Sequence, residues 1–277
     1  VLDRRRGIEV SPLEPGLKER FDFAAELAEE AAALAMRHFE RFDSLSVTHK
    51  GRQDVASAAD LETEQLIRRR LAERFPEDAF LGEETGRSEV EGRAGIWVVD
   101  PIDGSQPFLL GMSDWCVSIA YMHEGVAELG IVSVPARGET FAGLRGAGAT
   151  LNGRPIHVSD ATRIDEGILY VGYSPRIGVD DILPVFDRVL RQGGMYYRGG
   201  SGTMGLCYVA CGRFIGYLEP HLNSWDALAA LVIIEAAGGR INDFLAEDGL
   251  WSGNKVVACP PALYPALEAA LDGPAPG

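Results

Sequence analysis

Apolar residues near the start of the chain recur with a helical period. From about Glu19 to Arg41, Phe21, Ala24, Leu27, Ala28, Ala31, Leu34, Ala35 and Phe39 are spaced by three and four, with glutamates on the other face. This predicts an amphipathic helix rich enough in alanine to pack closely on a neighbour. Val47-Thr48 opens a short strand, with a polar hairpin around Lys50-Gly51. Ser57 and Asp60 have capping-box spacing ahead of Leu61, Leu66, Ile67, Leu71 and Phe75, which predicts a second helix ended by Pro76. Ala79-Phe80-Leu81 reads as a short strand. Trp97-Val98-Val99 reads as a buried strand that stops at Asp100, because Pro101 cannot donate to a sheet ladder.

Further β segments are predicted over 115–122, 126–134, 140–144, 149–151 and 155–158, with hairpin turns at His123-Glu124-Gly125 and Asn152-Gly153. From about Ser159 the pattern changes. Strands at 168–172, 195–197, 214–218 and 255–258 alternate with helices at 180–192, from the glycine loop at 199–203 through Cys211, at 225–237 and at 261–271. Gly238-Gly239 is a C-cap signal for the third of these helices. The expected organisation is a lead-in over 1–18 that reads as disordered, an N-terminal α+β half over 19–158, and a C-terminal α/β half over 159–277.

Composition narrows the function. The 277 residues are 46% hydrophobic and 24% charged, as in a soluble globular protein. No apolar run is long enough to span a bilayer, and the arginines at 4–6 are not followed by an apolar core of a secretory signal. A cytoplasmic protein with no membrane partner is expected. The formal charge of −15 argues against a nucleic-acid partner, which needs clustered Lys and Arg. A small phosphorylated substrate stays compatible with that charge if metal ions supply local positive charge. Cys116, Cys207, Cys211 and Cys259 lack further ligands at zinc spacing and read as reduced core thiols.

Several acids stand where chemistry can occur. Asp100 and Asp103 flank Pro101-Ile102 and run into Gly104-Ser105. Two carboxylates at a strand end beside a glycine turn suit a hard cation holding a phosphate, and equally suit an Asx-type turn. Glu83-Glu84 repeats the arrangement between glycines, with a solvated loop as the plainer reading. Asp60 and Asp226 are either helix-start acids or site residues. Gly199-Gly200-Ser201-Gly202-Thr203, feeding a helix, has the look of a phosphate cradle, although it matches no Walker or dinucleotide fingerprint.

Taken together, Gly82-Glu83-Glu84, Trp97 through Ser105, and Glu219 through Trp225-Asp226 with Glu235-Ala236-Ala237-Gly238-Gly239 resemble the inositol monophosphatase family, magnesium-dependent and lithium-sensitive phosphatases. The likeness covers about Phe21 to Leu271. It implies a layered αβαβα sandwich, usually homodimeric. It implies two or three magnesium ions per active site: Glu83, Asp100 and the Ile102 carbonyl on the first, Asp100, Asp103 and Asp226 on the second, with Glu83 helping to hold a third. Asp60 and Ser105 would orient the attacking water. Gly104-Ser105 would bind phosphate, with Asp103 on the substrate side. Glu219, Gly202 and Thr203 would contact the alcohol. The implied reaction is in-line attack of metal-activated water on a small polyol or sugar phosphate such as inositol monophosphate. Oxygen-only ligands agree, since they suit magnesium and disfavour zinc.

Two departures bear on the substrate. The chain has Ser105-Gln106-Pro107 where the family commonly has threonine and then asparagine, and Asn223 where inositol phosphatases often carry histidine. Serine keeps the hydroxyl, whereas Pro107 removes a backbone N–H and stiffens the loop. Leu109 to Trp115 is closer to relatives that dephosphorylate histidinol phosphate. Histidinol phosphate and 3′-phosphoadenosine 5′-phosphate are therefore alternative substrates for the same chemistry. A non-catalytic regulatory module is a third reading, because some bacterial relatives also act with the transcription machinery. The charge and the full set of acidic ligands weigh against it.

Overall fold

The computed structural model describes residues 15–41, 47–51, 54–87, 92–174 and 176–273. Residues 1–14 of the expected lead-in lie outside these. Helix α1 (Pro15–Phe39) begins four residues before the expected Glu19, so Pro15 to Lys18 belong to it. The hairpin of β1 (Val47–Gly51) and β2 (Asp54–Ser57) leads into α2 (Ala58–Arg74). There follow β3 (Ala79–Gly82), β4 (Gly86–Arg87), β5 (Gly95–Asp103), α3 (Ser105–Leu109), β6 (Cys116–His123), β7 (Val126–Val134), β8 (Glu139–Leu144), β9 (Gly148–Leu151) and β10 (Arg154–Pro155). The C-terminal part contains β11 (Ile168–Val171), α4 (Val179–Arg191), β12 (Met195–Tyr197), α5 (Gly202–Ala210), β13 (Gly216–Leu222) and α6 (Ser224–Ala236). It closes with β14 (Arg240–Ile241), α7 (Gly249–Ser252), β15 (Asn254–Cys259) and α8 (Tyr264–Asp272).

The architecture is five alternating layers. The large sheet runs β10-β9-β8-β7-β6-β5-β3-β4 and the smaller β12-β11-β13-β15-β14. Side chains alternate across β5, so Trp97 and Val99 face one way and Val98 the other. Trp97 and Val99 pack with Ala24, Leu27 and Ala28 of α1 and Ile67 and Leu71 of α2. On the opposite face Val98, Val132 and Phe141 meet Leu206 of α5 and Leu228 and Ile233 of α6, which also touch Tyr217 and Val256 of the small sheet. The far face of that sheet is covered by α4 and α8 through Val185, Val189 and Leu267. Helix α6 lies almost on the large sheet. A Cβ at Gly130 would come within 2.0 Å of the Ala229 carbonyl, and one at Gly143 within 2.6 Å of the Ile233 Cα. Those two glycines let α6 settle close enough to bring its first turn to the end of β5.

The structure differs from the sequence reading at β5. The strand does not stop at Asp100 but continues to Asp103 across a register shift against β6. The irregularity accommodates Pro101, whose missing N–H a regular ladder could not tolerate. β3 pairs with β5 in parallel, the one parallel pair of an otherwise antiparallel sheet among the described residues. Ser105 begins a short helix rather than extending the turn, and Pro107 falls in its first turn, where a missing N–H costs little. The strand expected over 155–158 reduces to β10.

Candidate active site

Three chain segments converge at the end of β5. Asp100 is buried; its Oδ1 accepts from the Ile102 N–H at 2.9 Å, and its Oδ2 is buried with no hydrogen-bond partner. Glu83 follows β3, the parallel neighbour of β5, so the two strand ends sit side by side. The Glu83 N–H donates to the Val99 carbonyl at 3.3 Å. The loop is held from below by buried Glu64 of α2, which accepts from the Glu84 N–H at 2.8 Å and the Thr85 N–H at 2.7 Å. Gly82 is required there, because a Cβ would lie 2.5 Å from the Glu64 carboxyl. Asp226 arrives on the first turn of α6, with Asn223 Nδ2 donating to its Oδ2 at 3.1 Å. One carboxylate oxygen from each of Glu83, Asp100 and Asp226 lies within 4.8 Å of the others.

The charges of this cluster oppose one another. Burial pushes Asp100 well above the usual carboxylate range, and the charges of Glu83, Asp226 and Asp103 push it further. Burial and Asp103 push Asp226 up to about 7. Such a site is costly unless a cation fills it. An orphaned buried carboxylate oxygen beside two further carboxylates, with oxygen the only donor type, fits a hard divalent ion such as magnesium.

The remaining expected residues surround this centre. Asp103 is buried outside the three-carboxylate cluster. Its Oδ2 accepts from Ser201 Oγ at 2.6 Å and the Thr203 N–H at 2.7 Å. Burial raises its pKa against those hydrogen bonds. Ser105 Oγ lies 3.1 Å from both Asp60 Oδ1 and the Ile102 carbonyl, so Asp60, Ile102 and Ser105 form one group. Gly104 has φ 94, and a Cβ there would meet the Asp114 carbonyl at 2.5 Å. A cavity of about 780 Å³ opens over Glu83, Asp103, Gly104, Ser105, Glu219 and Asp226. Burial pushes Glu219 up to about 8, against a hydrogen bond from Tyr217 and the charge of Arg198.

The glycine loop is built differently from the expected phosphate cradle. The Gly199 and Gly200 N–H groups donate to the Tyr170 hydroxyl at 3.3 and 3.2 Å. The Met204 N–H donates to Ser201 Oγ, the N-cap of α5. Gly202 lines the cavity, whereas Thr203 is fully buried and its hydroxyl donates to the Asp226 carbonyl at 2.6 Å. The loop's donors are therefore spent on Tyr170, Ser201, Asp103 and the Asp226 carbonyl. Reading the sequence missed Glu64 and Tyr170, together with Arg176 and Arg198 on the cavity wall, and gave Ser201 a place in a phosphate cradle where the structure makes it a partner of Asp103. Only Ser201 carried a signal, as a serine ahead of a helix. The cysteines are free thiols, with Cys116, Cys207 and Cys259 buried.

Comparison with known proteins places the chain among relatives. The profile of the inositol monophosphatase family matches residues 17–272. A protein of Xylella fastidiosa named Nus factor SuhB is 35% identical over 234 residues, covering 83% of this chain and 84% of its own. The structure of extragenic suppressor protein suhB from Bartonella henselae superposes with a TM-score of 0.86 at 29% identity, covering 92% of this chain and 99% of that one. Inositol monophosphatase from Anabaena gives 0.81 at 28% identity, with 92% and 96% covered. The name Nus factor lends no support to the expectation that nucleic acid plays no part. No helix among the described residues is long and apolar enough to cross a membrane.

Proposed function

Since the chain belongs to the inositol monophosphatase family, we propose that it is a magnesium-dependent phosphomonoesterase that hydrolyses the phosphate ester of a small alcohol. The observation that carries this is the buried Asp100 carboxylate, whose Oδ2 receives no hydrogen bond, grouped within 4.8 Å with carboxylate oxygens of Glu83 and Asp226. Glu83, Asp100, Asp226, Asp103 and the Ile102 carbonyl would hold two or three magnesium ions. When bound, they supply the positive charge that neutralises phosphate oxygens and lower the pKa of water.

The chain's own residues supply positioning. Asp60 accepts the Ser105 proton, which leaves the Ser105 oxygen to accept from a water above it. Asp103 is held by Ser201 and Thr203, so its free oxygen keeps one direction. Gly104 takes a positive φ and leaves room for the Asp114 carbonyl, which fixes the turn that carries Ser105. Glu219, nine-tenths and more buried, offers a carboxyl to the hydroxyls of the alcohol. Such a reaction needs orientation and charge stabilisation more than covalent chemistry. A homodimer is the proposed assembly, supported by exposed Met195 and Tyr196 on the edge strand β12. Lithium inhibition belongs to the same proposal.

The test is a phosphate-release panel with magnesium: inositol monophosphates, glycerol phosphates, fructose bisphosphate, histidinol phosphate and 3′-phosphoadenosine 5′-phosphate. Release from at least one, abolished by a chelator, is expected; no release from any overturns the proposal. The relatives' name favours a second reading, a Nus factor role alongside catalysis. It predicts that Asp100→Asn loses phosphatase activity while complementing loss of the Nus factor in a bacterium that has one.

A further inference from the structure

The cavity wall carries acids at the end of β5 and cations from the small sheet. Glu83, Asp103 and Asp226 stand at the β5 end. On the small-sheet side, Arg176 follows β11 and Arg198 follows β12; these are the only cationic side chains among the described lining residues. β12, β11 and β13 run parallel, so their carboxyl ends open on the same side, where open α/β sheets bind ligands. Arg198 is exposed and its Nη2 donates to the Tyr173 carbonyl at 3.1 Å, which ties its head to the chain segment after β11.

Arg198 has no carboxylate within ion-pair distance among the described residues, although the chain has 41 acidic against 26 basic residues. Its charge acts on Glu219 without an ion pair between them. A guanidinium has five donors, and one is used here. A guanidinium fixed by a backbone carbonyl and facing a cavity is suited to a planar or tetrahedral anion. The cavity of about 780 Å³ is within the range that houses a whole small molecule, so it has room for a skeleton between the two sides. Pro107, Leu110 and Met112 supply an apolar wall for that skeleton.

We infer that the substrate is a phosphomonoester carrying a second anionic group, phosphate or carboxylate, and that Arg198 recognises that group. This rests on the phosphatase reading for its first phosphate and adds a specificity-determining residue to it. Arg176 stands on the same wall and adds positive potential there.

The test uses non-hydrolysable probes, so it does not depend on turnover. Calorimetry with magnesium present compares propylphosphonate with propane-1,3-diphosphonate and its longer homologues, and 3-phosphonopropionate as the carboxylate arm. Wild-type chain is expected to bind one of the doubly anionic probes at least about tenfold more tightly than the monophosphonate, the size of a charge-assisted hydrogen bond. The homologue that binds best reports the span between the two sides. Arg198→Gln is expected to lose that preference and Arg198→Lys to recover part of it. A residue that merely balanced Glu219 would change both classes of probe alike. Equal affinities in the wild type, no binding of either class, or a preference that survives Arg198→Gln overturns the inference. Failure of the phosphate-release panel, by contrast, overturns the phosphatase reading.

Discussion

Replacing Asp100 with asparagine separates what the carboxylate does for function from what it costs the fold. Oxygens of Glu83 and Asp226 lie within 4.8 Å of an Asp100 oxygen. At an effective dielectric of about 20, unit charges at that distance repel by roughly 3 kcal/mol per pair. Asp100 escapes part of this by binding a proton, since burial and its neighbours hold its pKa high. Asparagine keeps the size, keeps an oxygen for the Ile102 N–H, and removes the charge. The metal-free variant is therefore expected to be more stable than wild type by about 1–3 kcal/mol, the range seen when buried ionic groups are neutralised. For a chain of this size that is a rise of several degrees in Tm. Activity moves the other way: phosphate release with magnesium should fall at least ~100-fold, as for loss of a major charge-stabilising group. The stabilisation that magnesium gives the wild type should shrink as well. Melts with and without chelator, paired with the release assay, read all three. Near-normal turnover, or a metal-free variant less stable than wild type, would refute the reasoning.

Other perturbations probe the surrounding residues. Asp226 and Glu219 have folded-state pKa values raised to about 7 and about 8, above their unfolded values near 4. The folded chain thus binds protons more tightly, so their stabilisation is present below pH ~4 and is lost as pH rises through 7–8. Metal-free Tm should fall between pH 5 and 8.5 on this account, and the Tm gain from magnesium should be larger at pH 8 than at 5.5. Ser105→Ala removes the hydroxyl 3.1 Å from Asp60 and is expected to lower kcat about 100-fold, while Ser105→Thr keeps most of it in the release assay. Tyr170→Phe removes the acceptor of the Gly199 and Gly200 N–H groups. It should cost ~1 kcal/mol in a denaturant melt and raise KM more than it lowers kcat.

Much of the fold follows from period alone. The alanine stripe of α1, the apolar run of α6 and the hairpin glycines announce their elements because each is local. The parallel pairing of β3 with β5 is not local, and that pairing sets Glu83 beside Asp100. Asp226 reaches them because Gly130 and Gly143 admit α6 against the sheet, a fit between surfaces that no spacing along one segment records. The acids could be picked out as candidates, but their convergence came from likeness to a family. Supporting groups were harder to see. Glu64 looks like any mid-helix glutamate, and Tyr170 like any strand tyrosine, until the loops they hold are folded onto them. The glycine loop misled for the same reason: its N–H groups read as an anion cradle in sequence, while folding commits them to Tyr170, Ser201 and Asp103.

The central claim is that Glu83, Asp100 and Asp226 together hold a hard divalent cation. Crystals grown with manganese in place of magnesium test it most directly, through anomalous scattering at the end of β5. A peak about 2.0–2.3 Å from Asp100 Oδ2 is expected, with oxygens of Glu83 or Asp226 completing the shell. An empty position at saturating manganese, with Asp100 Oδ2 still unpartnered, would contradict it.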